Sequence, residues 1–78
     1  MVATQKFLVA EQVTIENRKA WQLIGYITKL PKRWMISESV EDTKDQLELE
    51  KAARWLSVEK ATDVTLSVAD KAYRVAKA

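Results

Sequence analysis

Residues Thr43–Lys60, TKDQLELEKAARWLSVEK, constrain the fold more than any other stretch of this 78-residue chain. Thr43 is suited to an N-cap, and Gln46 follows at the spacing of a capping box, which satisfies N–H groups left open at a helix start. Glu41, Asp42 and Asp45 crowd the beginning and Lys60 closes the end, the charge order a helix dipole favours. Leu49, Ala52, Ala53 and Leu56 recur with helical period and form one core-facing stripe. The stretch therefore predicts a central amphipathic helix, Thr43–Lys60. Leu47 and Val58 lie almost opposite that stripe and Trp55 lies on its flank, so the helix is apolar on two sides. A surface helix needs only one such stripe. Either the tail covers the second side or a partner does.

The rest of the chain is read around this helix. QKFLVAEQV, residues 5–13, is rich in β-branched and aromatic types, and Phe7, Val9 and Val13 share one parity, as in an edge strand. Residues 14–30 support two readings. As a helix, Thr14 caps, Glu16 and Lys29 sit at the favoured ends, Pro31 follows, and Ala20, Leu23, Ile24, Ile27 and Leu30 line one face. As a hairpin, Glu16–Lys19 turns and Ala20–Thr28 is a strand, apolar on both parities. Gly25 costs a helix about 1 kcal/mol against Ala, which the five face positions and three end signals outweigh. The helix is preferred. Trp34–Val40 reads as a short strand and Val64–Val68 as another. The tail from Ser67 reads as a terminal helix, with Ser67 and Asp70 at capping-box spacing; pairing Val64–Val68 with Ala72–Ala76 is the alternative. The expected fold is a small α+β single domain over residues 1–78. Short strands pack around the central helix, and additional helices span 15–29 and 68–77.

Composition removes several function classes. With no cysteine and no histidine there is no thiolate, no imidazole base and none of the commonest metal ligands. Ser37, Ser39, Ser57 and Ser67 lack a base to activate them. No apolar run approaches a membrane span, and the N-terminus lacks a secretory signal pattern. The chain thus reads as a cytoplasmic, non-enzymatic protein with no cofactor or metal.

Three groupings bear on function. Glu38, Glu41, Asp42, Asp45 and Glu48 could pair as carboxylates on Mg²⁺, but acids at a helix start also serve the dipole, and no phosphate cradle accompanies them. Lys29, Lys32, Arg33 and Trp34, with Arg18 and Lys19, could contact phosphates and stack on a base. The third grouping is the tryptophans Trp21, Trp34 and Trp55: aromatic core in a thin domain, or interface anchors. Charge is split. Residues 1–37 carry six bases against Glu11 and Glu16, whereas residues 38–60 carry seven acids against four bases. Such asymmetry orients a charged partner.

The sequence therefore predicts a protein-binding module: a regulator, inhibitor or assembly subunit, acting on a protein partner or as a homo-oligomer. It would dock Leu47, Trp55 and Val58, with Lys32, Arg33 and Trp34 setting orientation. The alternative is nucleic-acid binding through Arg18, Lys19, Lys29, Lys32, Arg33 and Trp34.

Overall fold

A computed structural model describes residues 4–37 and 43–78. Its elements are β1 (Gln5–Ile15), β2 (Arg18–Lys29), β3 (Trp34–Ile36), α1 (Thr43–Val58), β4 (Asp63–Val68) and β5 (Lys71–Lys77). All five strands join one antiparallel sheet in the order β3-β2-β1-β5-β4. The sheet curls into a half-barrel, with the single helix of the described residues on one face. This corrects the expected architecture: the sheet dominates, and β1 and β2 run 11 and 12 residues rather than being short strands arranged around a helix.

The two additional helices expected at 15–29 and 68–77 are strands, for the same physical reason in both cases. Each expected span contains a two-residue hairpin turn whose central residues have positive φ, 50° at Glu16 and 65° at Asn17, 50° at Ala69 and 65° at Asp70. Positive φ at both positions is what a type I′ turn requires, and its twist matches that of the flanking strands. Asn17 and Asp70 tolerate the left-handed region. Asp70, read as part of a capping box, is thus a turn residue, whereas Thr14 and Ser67, read as caps, belong to strands. Local helix propensity then loses to cross-strand pairing, Ile15↔Arg18 in one hairpin and Val68↔Lys71 in the other.

The helix Thr43–Val58 ends two residues before the expected Lys60. Asp45, Leu49, Ala53 and Leu56 on α1 are buried, facing Phe7 and Val9 of β1, Ile27 of β2, and Tyr73 and Val75 of β5. Thr43's side chain and residues Glu38, Val40, Glu41 and Asp42 lie outside the described residues, so the proposed cap and most of the acidic group do too.

Two irregularities shape the sheet. Val9 pairs with Gly25 but Ala10 pairs with Leu23, so Ile24 is an extra residue in β2. Such a bulge changes which face the following side chains occupy. Ile24 packs against the core, while Leu23 and Trp21 share the outer face with Tyr26. Pairing of β1 with β5 stops at Glu11, so residues 12–21 continue as a two-stranded arm, part of a body measuring 46 × 25 × 15 Å. At the opposite end the Ala78 N–H donates to the Lys6 carbonyl at 3.0 Å, placing the start of β1 beside the end of β5.

Ala69 has neither the Gly nor the Asn that a type I′ turn favours. Ala69→Asn with Asp70→Gly should therefore raise stability by about 1 kcal/mol, measured by urea unfolding; a terminal helix at 68–77 would instead be weakened by the glycine.

Candidate docking surfaces

The sheet has two faces and α1 covers one. In strict alternation from Ile27, Trp21 and Leu23 would point inward; the Ile24 bulge turns them out. The outer face then carries Leu8 and Ala10 of β1, Trp21, Leu23 and Tyr26 of β2, Met35 of β3 and Ala76 of β5. Trp21, Leu23, Tyr26 and Met35 are exposed. Leu8, Ala10, Trp21, Leu23, Arg74 and Ala76 line a shallow depression of about 310 Å³. Three cations frame this face. Lys6 Nζ lies 4.1 Å from the Tyr26 ring centroid, Lys19 is exposed on the arm, and the Arg74 guanidinium is bound to the Asp63 carboxylate. Asp63 is the one acid on the outer face among the described residues.

The second surface is the outer side of α1. The tail does not cover it: β4 and β5 lie in the sheet beneath the helix. Leu47 is 53% exposed, Trp55 47% and Val58 78%. Lys51 stands among them, held to Glu48 at 3.3 Å. Leu47 also lines a groove of about 410 Å³ with Lys44, Glu48, Lys51, Ser67, Val68 and Ala69, between the helix and the end of β4.

The structure separates Trp34 from the exposed pair Lys32 and Arg33. Its ring stacks on Phe7 with centroids 5.8 Å apart and planes 28° apart, and it is half-buried. The Arg54 guanidinium carbon lies 5.0 Å from its centroid and Lys29 Nζ 5.9 Å. Trp34 is thus a packing residue that gathers two cations, and its stacked face is not open to a base. Arg18 and Lys19 sit at the tip of the arm, at the far end of β2 from Lys29, Lys32 and Arg33. The six residues of the nucleic-acid reading therefore do not form one patch.

Sequence reasoning missed the outer face. Its signal was present: a strand over 20–28 would be apolar on both parities. Antiparallel sheets with one solvated face show polar residues there instead.

The carboxylate grouping also resolves. Asp45 is 2% exposed and accepts a 2.6 Å hydrogen bond from the Tyr73 hydroxyl, tying the first turn of α1 to β5. Its Oδ1 has no hydrogen-bond partner among the described residues. Glu48 points instead to Lys51. Among the described residues no three Asp, Glu, His or Cys side chains gather as a metal would need, and no helix is long and apolar enough to cross a membrane. Compared with protein families, with curated proteins and with solved structures, the chain matches none.

A carboxylate buried this deeply depends on its donor. Tyr73→Phe should cost about 1.5–3 kcal/mol, the range for a hydrogen bond to a charged group. The check is a lower urea midpoint with an unchanged far-ultraviolet spectrum.

Proposed function

We propose that this protein is a non-enzymatic assembly subunit that binds protein partners through the outer face of its sheet. One observation carries the reading: β1 and β2 are apolar on both faces, while α1 covers only one. Contiguous apolar patches rimmed by charge mark interaction sites in folded proteins. Tryptophan and tyrosine are the favoured anchors of such sites, and Trp21 and Tyr26 stand on this one. The exposed side of α1, with Leu47, Trp55 and Val58, is the second docking surface. It lies on the opposite layer of the molecule, so a subunit of this shape can hold a neighbour on each side. Lys32 and Arg33, exposed after β2, favour an acidic partner.

Trp21→Ser with Leu23→Ser removes the tryptophan anchor and its apolar neighbour from the outer face without touching the core. Wild-type protein immobilised as bait should retain a partner from its native host, and this variant should retain about tenfold less. Trp55→Ser with Val58→Ser tests the helix side in the same way. Retention unchanged by both pairs would sink the reading, provided both variants keep the wild-type unfolding midpoint.

Nucleic-acid binding is the second reading, favoured by one arrangement: Lys6 and Lys19 share the outer face with Tyr26 and Trp21, and Asp63 there is neutralised by Arg74. Aromatic side chains interleaved with cations suit single strands. Its mark is salt: affinity for an oligonucleotide must fall steeply with ionic strength, in proportion to the phosphates neutralised. Absence of binding at low salt would eliminate it.

A further inference from the structure

The sheet ends in two edges that differ in chemistry. On one side β3 has only three residues, follows Pro31, Lys32 and Arg33, and is closed by the Ser37 N–H donating to the Tyr26 carbonyl at 2.9 Å. Beyond β3 the free margin of β2 is broken by the Ile24 bulge. Short length, proline, lysine and bulges are the devices that keep an edge from pairing. On the other side β4 has none of them. Asp63–Val68 is regular throughout, and its only charge, Asp63, is held by Arg74.

The ladder phase shows which groups face out. The Lys77 N–H donates to the Thr62 carbonyl at 2.9 Å, so residues 62, 64, 66 and 68 turn their backbone groups toward β5. Asp63, Thr65 and Ser67 turn theirs outward, where no backbone bond among the described residues reaches them. Such a row is a template on which an extended strand of another chain can pair directly.

We propose that β4 pairs with β4 of a second copy, antiparallel about a two-fold axis through Thr65. This goes beyond the outer-face reading and does not depend on it. Three arguments select a second copy. First, the register centred on Thr65 uses all three outward residues: Thr65 meets its own equivalent, and Asp63 meets Ser67. Registers centred on Val64 or Leu66 leave part of the row unpaired. Second, this register keeps the charges compatible. The two Asp63 side chains lie opposite serines rather than each other, and Lys60 of one copy comes to the end of the sheet that carries the exposed Asp70 of the other. Third, the side chains match. On the inner face the half-buried Leu66 meets Val64, and the second strand runs toward the groove lined by Leu47 and Val68. The contact is isologous, as closed dimers require. It makes one continuous sheet in which β3 supplies both outer edges.

Thr65 sits on the axis, so a single substitution there appears twice in contact with itself. Sedimentation of the whole chain across micromolar to millimolar concentrations should show a monomer–dimer equilibrium. Thr65→Pro removes only an outward N–H, leaves the β5 ladder intact, and should give monomer alone. Thr65→Lys and Thr65→Glu should each be monomeric through like-charge repulsion, and mixing them in equal amounts should restore dimer. This charge-swap pair keeps the test decisive if the proline variant does not fold. Wild type that stays monomeric overturns the proposal and leaves the edge to a strand of another protein. Dimer that persists in Thr65→Pro, or a mixture that stays monomeric, overturns it as well. Loss of dimer only in Trp21→Ser with Leu23→Ser would assign dimerisation to the outer face and also overturn it.

Discussion

The sheet exists because β1 is paired along both sides between Phe7 and Glu11. Each hairpin is local: a two-residue turn brings Ile15 to Arg18 and another brings Val68 to Lys71. Nothing local brings Phe7 to Lys77 or Val9 to Val75. That pairing closes a long loop and is rewarded only when the side chains it aligns are buried together. Phe7, Val9, Ile27 and Val75 become one apolar floor, which Leu49, Ala53 and Leu56 cap from above. Isolated two-stranded hairpins are marginal in water. The β1–β5 seam makes them one structure, and α1 keeps the seam dry.

Within this thin core one polar contact fixes where the helix lies. Apolar burial is non-directional and would tolerate α1 sliding over the sheet. The Tyr73 hydroxyl and the Asp45 carboxylate meet only in one position, near the start of α1. Toward its other end, Arg54 lies over Trp34, which itself rests on Phe7. The helix is thus oriented by contacts near both ends, and the side carrying Leu47 and Val58 is turned away from the sheet as a consequence.

The sequence told part of this plainly. The helix was legible because Leu49, Ala52, Ala53 and Leu56 repeat at one period with charges ordered along the dipole. The start of β1 was legible as a strand because Phe7 and Val9 alternate with partly exposed neighbours, but the expected edge position was wrong: β1 is the middle strand, paired with β2 and β5. Residues 14–30 were not, since Ala20, Leu23, Ile24 and Ile27 satisfy a helical period by coincidence. In the strand, Ile24 reaches the core beside the inward Gly25 because the bulge puts two successive residues on one side. Asp70 completes an apparent capping box with the strand residue Ser67 for a related reason: residues that favour helix starts also favour turns, and only tertiary pairing chooses between them. The outer face could be suspected from the double parity of β2, but not located. Its composition depends on the bulge beside Gly25, and a lone glycine inside a strand is a sign of a bulge only once the strand itself is recognised.

The neighbouring positions of Lys6 and Ala78 have a mechanical meaning. β1 enters the sheet where β5 leaves it, side by side and in opposite directions, with their hydrogen bonds running across the strands. Tension applied between Gln5 and Lys77 therefore loads those bonds one after another rather than all together. Under such a pull the seam unzips from the corner, Phe7 and Lys77 first, and the sheet parts along the line that holds its two hairpins together. The same sheet pulled along the length of β2 would resist with its whole ladder at once.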